Sequence, residues 1–135
     1  MFKIGIIGAG TISNSHIEAY NNNPNCEVVG IADLNTELAQ KKADEYKIPV
    51  VTADYHDLLN DESIDAVSVL VPTFLHKKVT IEALKSGKHV LCEKPPALNA
   101  DEVRECIEVS KETGKMLMYA LVSRFRNQVK YLKNI

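Results

Sequence analysis

The sequence has only three cysteines, Cys26, Cys92 and Cys106, with no C-x-x-C pair and no Cys/His cluster among them. That excludes a disulfide framework and offers no zinc-ligand spacing, so no metal is expected and a reducing cytoplasm is the natural compartment. No apolar run approaches the roughly 18 residues that a membrane-spanning helix needs. The apolar opening, Phe2 to Ile7, is too short for a signal peptide and runs at once into a glycine loop. Charge of one sign is lacking too. Sixteen Lys and Arg against eighteen Asp and Glu leave a net charge of −2, so no overall positive field draws the chain to nucleic acid or to an anionic membrane.

What remains is an ordinary soluble composition, 45% apolar and 25% charged, in 135 residues. A chain of that length fits one domain with one core and needs no disulfide or structural metal to stay folded. Internal repeats are absent. Short β-branched apolar runs alternate with longer segments of helical spacing, and the runs are Lys3 to Ile7, Glu27 to Ala32, Val50 to Thr52, Ala66 to Val71, His89 to Cys92 and Lys115 to Val122. Several are continuously apolar, as strands of a parallel sheet covered on both faces should be. Asn35 is placed to cap a helix over Thr36 to Tyr46, Asn99 with Glu102 makes a capping-box start for a helix ending before Gly114, and Gly87 ends a helix begun near Thr73. Asp54 to Asn60 is a short helix at best. Six strands with right-handed crossovers predict an α/β Rossmann fold, a doubly wound parallel sheet in the order 3-2-1-4-5-6.

The first strand runs into Gly8-Ala9-Gly10-Thr11-Ile12-Ser13 and then a helical segment through Tyr20, the context that a dinucleotide fingerprint requires. Gly8 permits the tight turn. Gly10 leaves room for a pyrophosphate to reach the backbone N–H groups where Thr11 and Ile12 open the helix. Ser13 stands where Gly or Ala is usual, a small departure expected to be accommodated. Asp33, at the end of the second strand, is expected to accept hydrogen bonds from the adenosine ribose hydroxyls. It favours NAD over NADP, because a 2′-phosphate would meet its carboxylate and no Arg follows in Leu34-Asn35-Thr36.

Two further segments are specific: Val71-Pro72-Thr73-Phe74-Leu75-His76 after the fourth strand, and Gly87-Lys88-His89-Val90-Leu91-Cys92-Glu93-Lys94-Pro95 through the fifth. With the glycine loop, they give a sequence that resembles the N-terminal domain of the glucose-fructose oxidoreductase / inositol dehydrogenase family, Gfo/Idh/MocA, from Lys3 to about Arg126. The resemblance implies an NAD-dependent oxidoreductase acting on a small polyol or sugar by hydride transfer. It implies that Glu93 contacts the nicotinamide-side ribose and that Lys94 is the catalytic residue reaching the substrate hydroxyl, where an ammonium can stabilise developing alkoxide character. Val71, Pro72 and Thr73 match a loop that runs under the cofactor, although Thr is common at the Val71 position and Asn at the Thr73 position. His76 matches a frequent histidine that either lines the nicotinamide end of the crevice or packs at the helix start. Family members often have a cis bond before the proline corresponding to Pro95. His16, His56 and His89 have no ligand-like spacing and are expected to be structural or solvent-facing.

The expected domains are a dinucleotide-binding unit over 1–123 and a basic helical tail over 124–135, which holds Arg124, Arg126, Lys130 and Lys133 with no acid. Phe125, Val129 and Leu132 give that tail an apolar stripe that packs on the sheet or joins two copies in a homodimer. Family members usually carry a second, sheet-rich domain with an Asp and a His on a helix. Neither has a counterpart here, so the chain is expected to be incomplete as a catalyst. A non-catalytic NAD-binding or redox-sensing module, and a small reductase completed by another chain, are the alternatives.

Overall fold

The computed structural model describes residues 1–121, and the helical tail expected over 124–135 lies outside them. Six strands form one parallel sheet: β1 (Phe2–Ile7), β2 (Cys26–Ala32), β3 (Val50–Thr52), β4 (Ala66–Val69), β5 (His89–Cys92) and β6 (Leu117–Tyr119). Their order across the sheet is β3-β2-β1-β4-β5-β6, as the alternation of runs predicts. Helices α1 (Ile12–Asn21) and α2 (Thr36–Tyr46) lie in the first half. Helices α3 (His56–Asn60), α4 (His76–Lys85) and α5 (Ala100–Thr113) lie in the second.

Adjacent residues of a strand serve opposite cores, which is why these runs are apolar without alternation. Ile4 and Ile6 of β1 join Ile17 of α1 and Ala39 and Ala43 of α2 on one face. Ile7 joins Leu58 of α3 and Val79, Ala83 and Leu84 of α4 on the other. A register shift falls between Ile4 and Gly5, which pair with Val28 and Gly30, so β2 carries one extra residue there. Gly30 is needed for close approach: a Cβ at this position would lie 2.6 Å from Leu58 Cδ2.

The caps follow the sequence. Asn35 Oδ1 accepts from the Leu38 N–H at 3.1 Å and Asn99 Oδ1 from the Glu102 N–H at 2.9 Å. Glu102 returns the contact one residue further out than a capping box does, accepting from the Leu98 N–H at 3.0 Å. Gly114 closes α5 at φ +69. The segment from Thr73 to Gly87 is divided: a 3₁₀ turn over Thr73–Leu75 precedes α4.

Two strands are shorter than expected. β4 ends at Val69 because its neighbour β1 turns away at Gly8; Leu70 N–H still reaches Ile7 O at 2.8 Å, but nothing continues the ladder. β6 is an edge strand whose sole described neighbour, β5, has four residues, so pairing covers only Leu117 to Tyr119 of the expected run.

Candidate functional site

The sheet order reverses between β1 and β4, and the loops that leave the carboxyl ends of β1, β4 and β5 meet above that point, where a doubly wound sheet opens its ligand crevice. Gly8 sits at φ +109 against the β4 strand end, and a Cβ there would lie 2.7 Å from Leu70 O, so only glycine fits. Gly10 is different. A Cβ built on it meets nothing within 4 Å, which leaves the approach to the backbone open from the solvent side.

Thr11 occupies the N-cap of α1 without a side-chain capping bond, and the N–H groups of Gly10, Thr11 and Ile12 donate to no acceptor among the described residues. Three free donors at the positive end of a ten-residue helix, beside an unobstructed glycine, suit a pyrophosphate. Ser13 is fully buried and donates its hydroxyl to Gly10 O at 2.6 Å, so the departure from Gly or Ala adds a tie within the loop. Asp33 lies at the rim. Its Oδ2 accepts from the Ala9 N–H at 2.7 Å and its Oδ1 from the Asn35 N–H at 2.8 Å. The carboxylate therefore braces the glycine loop and the start of α2, and each oxygen retains lone-pair capacity toward the crevice.

In the loop after β4, Val71, Thr73 and Leu75 are partly buried while Pro72 and Phe74 are exposed. His76 is 2% exposed, with Nδ1 2.8 Å from Pro95 O and Nε2 2.8 Å from Val71 O. It is a packed residue at the start of α4 that links the β4 loop to the segment after β5. Glu93 follows β5, its side chain 12% exposed, and its Oε2 accepts from the Lys94 N–H at 3.1 Å. The Lys94–Pro95 bond is cis. Lys94 itself is exposed, with no partner for Nζ among the described residues, and so is available to a ligand. Burial pushes the adjacent Cys92 thiol up to about 12, which removes it as a nucleophile.

Sequence reasoning missed His16. Its Nε2 lies 2.8 Å from Glu93 Oε1, its Nδ1 3.3 Å from Ser68 Oγ, and Ser68 Oγ lies 2.7 Å from Tyr20 Oη. The spacing held a signal: Ser13, His16 and Ile17 form the buried stripe of α1, and a histidine in such a stripe requires polar partners. The nearest acid in sequence, Glu18, accepts instead from Tyr46 Oη at 2.9 Å, and Glu93 is 77 positions away.

Residues 2–121 match the family model described as "oxidoreductase family, NAD-binding Rossmann fold". The chain belongs to the Gfo/Idh/MocA family. It is 35% identical to inositol 2-dehydrogenase of Salmonella paratyphi B, over 98% of this chain and 40% of that protein. With D-glucoside 3-dehydrogenase of Escherichia coli it is 33% identical over 97% of this chain and 38% of that protein. Among solved structures, KijD10, a 3-ketoreductase from Actinomadura kijaniata in complex with NADP and TDP-benzene, superposes with a TM-score of 0.92 at 28% identity. That match covers 98% of this chain and 41% of KijD10. The chain thus spans about 40% of the length of the relatives it matches. As a Gfo/Idh/MocA domain it has NAD as its cofactor class, and the open glycine loop and free helix donors fit that group. No helix among the described residues is long and apolar enough to cross a membrane.

Proposed function

We propose that this chain forms the cofactor-binding part of an NAD-dependent dehydrogenase that moves a hydride between NAD and a hydroxyl-bearing carbon of a sugar, an inositol or a related polyol. One observation carries the reading: Glu93 is held against α1, the helix that opens from the glycine loop, so the Glu93-Lys94-Pro95 segment borders the same crevice as the pyrophosphate cradle. Bound NAD would supply the hydride acceptor. The residues of the chain bind and orient: amides of Gly10, Thr11 and Ile12 for the diphosphate, Asp33 for the adenosine ribose, the Val71-Pro72-Thr73 loop beneath the cofactor and Glu93 toward the second ribose. His76 fixes the wall between that loop and Pro95. The Lys94 ammonium donates to the substrate oxygen and stabilises the negative charge that develops there. Asp33, with no arginine in the three residues after it, supports NAD over NADP.

Calorimetric titration of the 135-residue chain with NADH tests the cofactor assignment, and saturable binding is expected; none at millimolar NADH overturns it. Turnover is assayed on polyols and aldoses with the longest product of the gene. There Lys94→Met is expected to abolish hydride transfer while cofactor affinity stays within about twofold, because this side chain is assigned to the substrate. Retained turnover in that variant overturns the role of Lys94.

A further inference from the structure

The contacts around His16 are satisfied by hydrogen bonds that run in one direction. With Nε2–H donating to the Glu93 carboxylate oxygen Oε1, Nδ1 can accept from the Ser68 hydroxyl, and Ser68 Oγ can in turn accept from Tyr20 Oη. In this arrangement every hydrogen has an acceptor and the series ends on a carboxylate, the strongest acceptor in it. Burial pushes the Tyr20 phenol above its ordinary value, the Ser68 contact opposing this in part. His16 is 9% exposed and Ser68 is fully buried, so water has little access to the middle of the series. Glu93 Oε2 then holds the Lys94 N–H. Both carboxylate oxygens are thus fixed, one from α1 and one by the residue that carries the ammonium.

We propose that His16 is a positioning residue: it sets the orientation of Glu93 and, through Glu93, the backbone at Lys94. The helix that receives the diphosphate and the segment that carries the substrate-contacting lysine are thereby held in one fixed relation. This rests on the reading above for what Glu93 and Lys94 touch, but the contact itself does not. A carboxylate that loses its one side-chain donor among the described residues turns to solvent and releases the amide it held, so beyond the cavity left in the core around α1 a cost appears at Lys94 and at the cofactor.

The test compares His16→Ala with His16→Gln. Glutamine can donate to Glu93 and accept from Ser68 through its amide, which reproduces both contacts without the ring. His16→Ala is expected to shift the Lys94 amide resonance in a ¹H–¹⁵N spectrum and to weaken NADH binding about tenfold. His16→Gln is expected to restore the Lys94 resonance and bring affinity to within about threefold of the parent chain. Long-range ¹H–¹⁵N correlation on the parent should report the Nε2–H tautomer. An unmoved Lys94 amide in His16→Ala overturns the proposal, as does a folded His16→Gln chain that fails to restore it. If the parent chain does not bind NADH, the cofactor assignment fails alone; the Lys94 amide and the tautomer still decide the role of His16.

Discussion

Asp33 holds the Ala9 amide, its Oδ2 2.7 Å from the nitrogen across 24 positions of sequence. An acidic residue expected to meet a ribose is therefore also the brace of the loop that meets the diphosphate. That brace helps the loop hold its shape while three of its amides have no acceptor among the described residues.

Replacing that carboxylate separates the duties. Asp33→Asn keeps one acceptor oxygen for two N–H groups and is expected to cost about 1–2 kcal/mol in chemical denaturation. Asp33→Arg is expected to raise the ratio of NADPH to NADH affinity, because the arginine can meet a 2′-phosphate. It should also weaken binding of both cofactors, since Ala9 and Asn35 lose their acceptors. Titration with both reduced cofactors reads the two effects, and a ratio unchanged from the parent contradicts the assignment of Asp33.

The two loop glycines are expected to fail in different ways. Gly8→Ala places a Cβ against Leu70 O at a φ that L-residues rarely adopt, and should cost about 3 kcal/mol or more of stability. Gly10→Ala meets no protein atom, so stability should change by less than about 0.5 kcal/mol. Its methyl group would instead stand where the diphosphate approaches, lowering NADH affinity about tenfold or more. Thermal unfolding and calorimetry on the same two variants separate the effects. An alanine at position 10 that binds NADH normally would remove the cradle from the account.

On the sheet face opposite α1, His56 bridges Asp54 and Glu82, with Nδ1 2.6 Å from Asp54 Oδ1 and Nε2 3.1 Å from Glu82 Oε2. Its pKa is raised above the ordinary 6.5, first by the Asp54 hydrogen bond, against a smaller opposing effect of burial. That of Asp54 is lowered below 3.8 by the His56 backbone and side-chain donors. A raised histidine value means stabilisation complete below pH 6.5 and lost as pH climbs through the folded value. A lowered aspartate value means stabilisation present above 3.8 and lost as pH falls through the folded one. The contact is therefore strongest between the two. An NMR titration should place the His56 midpoint above 6.5, and Asp54→Ala should bring it down; a midpoint at or below 6.5 in the parent contradicts the contact.

How much of this was legible in the sequence depends on how far apart the interacting residues lie. Strand–loop–helix order, the caps at Asn35 and Asn99 and the glycine turn are properties of a few consecutive residues, so periodicity and side-chain chemistry determine them directly. The sheet order followed because parallel strands joined by helices admit few right-handed windings. Strand ends were less accessible, since β4 and β6 stop where a neighbour stops and not where apolar residues do.

Tertiary structure alone decided the partners. His16 and Glu93 look unrelated along the chain, and nothing in the sequence places the His76 ring between Val71 O and Pro95 O. Asp33 bracing Ala9 is likewise a product of β1 and β2 lying side by side. A hydrogen bond needs its two atoms within about 3 Å and aligned, and only the packed sheet brings such distant residues to that separation. The amino-acid sequence determined which chemical groups the loops carry; the fold decided which of them hold one another.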